Sequence, residues 1–133
     1  MYTASCLCGA IALEIDAAID AVQLCHCREC QKAQGGAFVA VAPVPRDALR
    51  LVRGADQLAS YSASPGKRRV FCRDCGSPVY SERLDAPQTV RLRVGLIDGP
   101  LAAPVDGHAF TREQVCWFHI GDDAPRHEGP RPV

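Results

Sequence analysis

The sequence lacks any long apolar run: its apolar stretches are a few residues each, far below the roughly 20 that a membrane-spanning helix needs. It also lacks net charge, with 15 Lys+Arg against 15 Asp+Glu. That balance argues against a non-specific nucleic-acid binder, which carries a basic excess. No basic segment followed by an apolar core opens the chain at Met1-Tyr2-Thr3-Ala4-Ser5, so no export signal is expected and the cytoplasm is the expected compartment. No internal repeat, low-complexity block or Ser/Gly linker divides the 133 residues. One domain spanning 1–133 is therefore expected. Long helical periods are missing as well. The 11 Gly and 10 Pro punctuate the chain so often that its elements must be short.

What remains is β-like. With 47% hydrophobic and 23% charged residues the composition is globular. Ile11, Leu13 and Ile15 alternate after a turn at Cys8-Gly9, and Ala21–Leu24, Ala37–Ala42, 49–53, 57–62, 67–71, 79–81 and 89–94 read as further strands. In the last of these, Val90, Leu92 and Val94 share one face and Thr89, Arg91 and Arg93 the other. One or two helical turns are expected over 28–33, ended by Gly35-Gly36, and another turn over 46–49. The Pro-rich segment after Asp122 is expected to lie as an extended cover or to fray. Many short strands with turn signals point to a mainly-β sandwich.

The eight cysteines are the anomaly. In a chain with a core-sized apolar content and no export signal they suggest metal or redox chemistry before disulfides. Seven fall in three clusters: Cys6-Leu7-Cys8-Gly9, Cys25-His26-Cys27-Arg28-Glu29-Cys30 and Cys72-Arg73-Asp74-Cys75-Gly76. A glycine after the second cysteine of a close pair permits a left-handed backbone, so that neighbouring amides can face the thiolates. Cys6 and Cys8 supply two ligands, as do Cys72 and Cys75, and neither pair alone closes a tetrahedral zinc site. Together they make a set of four thiolates, the composition of a structural zinc. Such a site ties the N-terminal strand to the middle of the chain, a useful clip for a small β domain whose contacts are non-local.

The middle cluster differs. Cys25, Cys27 and Cys30 offer three thiolates and leave a fourth position open, the pattern of catalytic sites, and a soft thiol is a natural fourth ligand. His26 could close the site instead, although its place between two ligating cysteines points it away from a shared metal. Arg28 and Lys32 could offset the site's negative charge, or be ordinary solvated charges. Thioredoxin-like exchange would need a βαβ pattern that is absent, and common iron–sulfur spacings differ from these. Cys116, beside Trp117 and Phe118, reads as a buried core thiol. His108, His119 and His127 are scattered singly and read as structural. Lys67-Arg68-Arg69 reads as a solvated basic face, or as a contact for an anionic group.

These clusters resemble the glutathione-dependent formaldehyde-activating enzyme and centromere protein V family. Cys30-Gln31-Lys32-Ala33 with Gly36-Ala37-Phe38, Tyr61 followed by Ser64-Pro65-Gly66-Lys67 and Arg69, Gly95-Leu96-Ile97-Asp98, His108-Ala109-Phe110 and Trp117-Phe118-His119-Ile120 extend the likeness through nearly the whole chain. The resemblance implies a β-tent, a mainly-β fold of stacked short antiparallel sheets stapled by zinc. It implies two Zn²⁺ per chain: a structural ion on Cys6, Cys8, Cys72 and Cys75, and a substrate-side ion on Cys25, Cys27 and Cys30. It further implies a zinc-dependent carbon–sulfur lyase acting on a thiol–aldehyde adduct such as S-hydroxymethylglutathione, with glutathione as partner and no catalytic residue named beyond the second zinc site. The competing expectation is a non-catalytic, zinc-stapled binding module for a protein or nucleic-acid partner. Val115-Cys116 stands where many relatives have an Ala-Pro pair, which leaves the role of Cys116 open.

Overall fold

The structure, a computed structural model, describes residues Met1–Pro132. In chain order the strands are β1 (Tyr2–Ser5), β2 (Ala12–Ile15), β3 (Val22–Cys25), β4 (Val39–Pro45), β5 (Leu49–Arg53), β6 (Leu58–Tyr61), β7 (Lys67–Cys72), β8 (Pro78–Arg83), β9 (Thr89–Arg93) and β10 (Val105–Ala109). The helix α1 (Arg28–Gln34) sits between β3 and β4 in sequence, and short 3₁₀ turns occupy Arg46–Ala48, Ala55–Gln57, Val94–Leu96 and Thr111–Glu113. The protein is mainly β. Two compact units divide it, one built from Met1–Ile19 and Ala42–Leu101, the other from Asp20–Val41 and the chain from Ala102 onward.

In the first unit β1, β2 and β5 form an antiparallel sheet, and β6 to β9 form an antiparallel meander. The alternation of the second strand is realised: Ile11, Leu13 and Ile15 are buried while Ala12 and Glu14 are partly exposed. Each such side chain contributes about 1.5–3 kcal/mol by leaving water. Val44, Val79, Val90 and Leu92 are fully buried in the same unit. Strand β9 breaks its expected pattern at the end. Arg93 is buried, its guanidinium donating to Ser81 Oγ at 3.1 Å and to the Arg91 carbonyl at 3.2 Å. The chain leaves the pleat directly after it, into the turn at Val94, so the two-residue period stops holding there. Arg69, expected on a solvated face, is also buried, while Arg68 is exposed and pairs with Glu82.

Strand β1 has no apolar alternation, and only Ala4 within it is buried. It is a strand because all its residues pair with β2 from Tyr2↔Ile15 to Ser5↔Ala12, with Asp98 N–H donating to the Thr3 carbonyl at 2.8 Å on its other side.

In the second unit β3 lies between the opening residues of β4, antiparallel, and β10, parallel. Strand β10 reads Val-Asp-Gly-His-Ala, a poor strand former by composition. It is held by β3 on one side and by the tail on the other. His108 N–H donates to the Pro125 carbonyl at 2.9 Å, His127 N–H to the His108 carbonyl at 2.9 Å, and Phe110 N–H to the Gly129 carbonyl at 2.8 Å. Residues 125–129 of the segment after Asp122 thus lie as a cover along β10. Phe110, directly after the strand, has φ 55, the one positive φ among the described non-glycine residues.

Candidate metal centres and a buried histidine pair

The first unit brings Cys6, Cys8, Cys72 and Cys75 together, their sulfurs all within 4.8 Å of one another. Cys6 ends the approach of β1 and Cys72 ends β7; both are buried, with Cys72 at 0% exposure. The trailing glycines, Gly9 and Gly76, both adopt φ 79. That left-handed step turns amides inward: Gly9 N–H donates to the Cys6 carbonyl at 3.0 Å, Gly76 N–H to the Cys72 carbonyl at 2.8 Å, and Ile11 N–H to Cys6 Sγ at 3.3 Å. Ser77 joins the two knuckles, its Oγ accepting from Leu7 N–H at 2.9 Å and lying 3.3 Å from Cys75 Sγ.

The donor set fits zinc. A Zn–S bond of about 2.3 Å gives a thiolate tetrahedron with edges of about 3.8 Å. The Cys6–Cys8 and Cys8–Cys72 sulfur separations are 3.6 and 3.8 Å. Neighbouring groups already favour one thiolate strongly: Ser77's hydroxyl and amide, with the Cys8 amide, bring the Cys75 thiol down to about 5. The Ala10 amide favours a thiolate at Cys8, but desolvation and the adjoining thiols outweigh it and push that group up to about 12. Four sulfurs this close share their protons unequally unless a cation holds them all as thiolates.

The second unit brings Cys25, Cys27 and Cys30 together, with sulfurs again within 4.8 Å of one another. Cys25 closes β3, Cys27 is the N-cap of α1, and Cys30 lies in the first turn, its N–H donating to Cys27 Sγ at 3.3 Å. The helix ends at Gly35, φ 67, whose N–H returns to the Gln31 carbonyl at 2.8 Å. Cys30 packs with Val39 and Val41, so the sulfurs sit against an apolar wall. The Cys30 hydrogen bond and burial raise the Cys25 thiol, and burial raises Cys27. No fourth His, Cys or carboxylate of the described residues joins this group. Arg28 and Lys32 are exposed; Arg28's guanidinium is engaged by Gln31.

His26 is turned away from the three sulfurs. Its ring is fully buried, with Nε2 2.8 Å from His108 Nδ1, and His108 Nε2 lies 3.0 Å from both carboxylate oxygens of Asp122. Its backbone is pinned on both sides: His26 N–H donates to the Ala109 carbonyl at 3.0 Å, and its carbonyl accepts from Gln31 Nε2 at 2.6 Å. The same Gln31 nitrogen donates to the Glu113 carbonyl at 2.9 Å, and Glu113 Oε1 accepts from Arg28 N–H at 2.9 Å. Phe38 meets the His26 ring edge-on at 5.6 Å between centroids, and Phe118 meets Phe38 at 5.1 Å. Burial, then the neighbouring His108, holds His26 below the usual histidine range, while the hydrogen bond to His108 lowers Asp122. By sequence His108 reads as a single structural histidine, and nothing there singles out Asp122. The His108-Ala109-Phe110 motif is the only local signal, and it covers His108 alone.

Cys116 is a correction. It is exposed, and so is Trp117 at 70%, so it is not a core thiol. Residues 116–118 form a turn and bend outside any sheet ladder, with Val115 and Phe118 half-buried and Phe118 against Phe38. His119 is exposed, and His127 serves through its backbone, its carbonyl accepting from Thr111 N–H at 3.0 Å.

Fold and donor sets together define a class: a mainly-β protein with two cysteine clusters able to hold metal ions. The family model described as "Glutathione-dependent formaldehyde-activating enzyme" matches residues 1–113, and the chain belongs to that family. It is 34% identical over 80 residues to a Podospora anserina protein, and 31% over 77 residues to one of Emericella nidulans, both provisionally named for that activity. The matches cover 59% and 56% of this chain, and the chain spans only 38% and 39% of those relatives. An uncharacterized lyase of Schizosaccharomyces pombe is 28% identical over 79 residues, 59% of this chain and 56% of the relative. A crystal structure of a Rhodobacter sphaeroides protein superposes with TM-score 0.65 at 24% identity, covering 77% of this chain and 98% of that one. At that identity the likeness speaks for the fold alone.

Proposed function

We propose that this protein is a zinc-dependent carbon–sulfur lyase-type enzyme acting on a thiol–aldehyde adduct, S-hydroxymethylglutathione being the adduct that the family's description points to. In the forming direction the thiol sulfur bonds to the aldehyde carbon, and the thiol proton ends on the former carbonyl oxygen. The observation that carries this reading is the three-cysteine group of Cys25, Cys27 and Cys30, which has no fourth protein ligand among the described residues. A zinc ion held there would supply Lewis-acid polarisation and favour a thiolate at its open position. The chain's own part is to hold three sulfurs on one short cap-and-helix segment, against the wall of Val39 and Val41, with their placement set by Gln31 and the His26 backbone. Cys6, Cys8, Cys72 and Cys75 would hold the structural zinc of a single β-tent domain over 1–133. No described helix is long and apolar enough to cross a membrane, and the reducing cytoplasm suits thiol chemistry of this kind.

Metal content and thiol binding test the reading together. Cys27→Ser is expected to lower zinc by about one ion per chain and leave a folded protein. Glutathione added to Co²⁺-substituted protein is expected to change the thiolate-to-metal absorption. An unchanged spectrum with no acceleration of adduct exchange would remove the lyase reading and favour a binding module.

A further inference from the structure

Three thiols between Cys25 and Cys30 keep a fixed spacing only if the backbone that joins them is fixed. Cys25 closes β3, Cys27 caps α1 with ψ 154, and Cys30 N–H reaches back to Cys27 Sγ at 3.3 Å. The two peptide groups on either side of Cys27 present the His26 carbonyl and the Arg28 N–H, and a distant turn holds both. Glu113 Oε1 accepts from Arg28 N–H at 2.9 Å, an amide at the start of α1 that has no partner within the helix. The Glu113 carbonyl accepts from Gln31 Nε2 at 2.9 Å, and the same nitrogen donates to the His26 carbonyl at 2.6 Å. Both amide hydrogens of Gln31 are thereby used, in a residue at 4% exposure. Glu113 lies 82 positions from Gln31 along the chain and arrives by a strained step. Phe110, directly after β10, sits at φ 55, ψ 43, a left-handed conformation that is costly for a bulky side chain. Its N–H donates to the Gly129 carbonyl at 2.8 Å, its carbonyl accepts from Glu113 N–H at 3.0 Å, and Thr111 N–H donates to the His127 carbonyl at 3.0 Å. Strain that the surroundings hold in place points to a conformation the molecule uses, and this one starts the turn that presents Glu113 to α1.

We propose that Glu113 is a positioning residue for a metal held by Cys25, Cys27 and Cys30. Directly at Arg28, and through Gln31 at His26, it fixes the backbone on both sides of Cys27, and the left-handed step at Phe110 puts it there. A cluster that is short in sequence thus takes its geometry from the far end of the chain. Preset sulfur positions favour metal binding because the segment has less freedom to lose when the ion arrives. The inference rests on the part of the proposed reading in which these three thiols hold a metal, and adds which distant residue sets the affinity of that site.

Co²⁺ titration tests it, with the three-thiol site read as the thiolate-to-cobalt absorption that Cys27→Ser removes. Glu113→Ala, at a half-buried position, is expected to weaken Co²⁺ there by about tenfold, the usual effect of removing a group that orients a ligand. Glu113→Gln, whose side-chain oxygen still accepts from Arg28 N–H, should bind as the unaltered chain does. Phe110→Asn and Phe110→Val both remove the ring, but asparagine tolerates the left-handed backbone and valine does not. The valine variant should therefore lose affinity and the asparagine variant should keep it. Absorption from the four-thiol site, which Cys27→Ser retains, should be the same in every variant. Unchanged Co²⁺ affinity in Glu113→Ala overturns the inference. So does a loss that Glu113→Gln shares, a loss that extends to the four-thiol site, or equal losses in the two Phe110 variants. If no absorption depends on Cys27, the metal reading of this cluster fails, and the inference with it.

Discussion

Replacing one cysteine of each cluster with serine should have sharply unequal effects, and chain closure sets the difference. Cys8 and Cys72 are 64 residues apart with sulfurs at 3.8 Å, whereas Cys25 and Cys30 are separated by only five positions. Closure entropy grows as 1.5RT ln n, so a metal bridging the longer span stabilises the fold by about 2 kcal/mol more than one bridging the shorter. The figure is a lower bound for Cys72, which is fully buried among the thiols it would leave without a cation. At about 4 °C per kcal/mol for a chain of this length, Cys72→Ser should unfold at least about 8 °C below Cys27→Ser. Thermal melts by circular dichroism, run beside zinc-per-chain analysis by mass spectrometry, read both quantities. Equal melting points for the two variants would refute the reasoning, because the second metal would then be as much a fold clip as the first. Retention of two zinc ions by Cys72→Ser would refute it from the other side.

Gly54→Ala should destabilise by about 2 kcal/mol or more in denaturant titration, since its φ is 94 and a Cβ would stand 2.3 Å from the Ala10 carbonyl oxygen and 2.8 Å from Ile11 Cα. Ser77→Ala should speed zinc loss to a chelator about tenfold, as removal of a group supporting a ligand commonly does, because Ser77 favours the Cys75 thiolate and holds the Leu7 amide. Burial opposes a charge on Glu82, yet its bonds to Arg46 and Arg68 prevail and hold its carboxyl below the usual range. Its stabilising effect is therefore complete above the unfolded value of about 4.3 and lost as pH falls through the lower folded value. Glu82→Gln should flatten the acid limb of a stability–pH curve while leaving its shape near pH 7–9 unchanged. Leu92→Ala, in a fully buried position on β9, should cost about 2–5 kcal/mol by the same titration.

How much of this was legible in the sequence follows from which interactions are local. The amphipathic alternation of Ile11, Leu13 and Ile15, the bounds of β5, and the helix over Arg28–Gln34 with its stop at Gly35 are short-range patterns. They could be read because each is decided within a few residues. The cysteine grouping could be reasoned from ligand counting, since a pair cannot complete a tetrahedron, and Gly9 and Gly76 take the left-handed step that such knuckles need. By contrast β1 and β10 are strands through their partners: neither has a pattern of its own, and β10 depends on parallel pairing with β3 and on tail residues some 20 positions further on. Arg69 looked solvated because charge is the only thing a sequence shows of it, and Arg93 fell on the face opposite the apolar one, while the burial of both depends on neighbouring strands. Cys116 looked buried because its neighbours are aromatic, yet Cys116 and Trp117 are exposed while Phe118 packs on Phe38.

The sequence by itself determined the chemistry available: seven clustered sulfurs in a four-and-three partition, on a neutral, strand-rich chain. Only the tertiary structure decided what surrounds that chemistry. His26, His108 and Asp122 are 82 and 14 positions apart along the chain, and no local rule links them. They meet because β10 lies parallel to β3 and the tail folds back along β10. Ligand identity is a property of residue type and near spacing, whereas the order of donors and acceptors in a buried chain belongs to contacts that exist only once distant strands have paired.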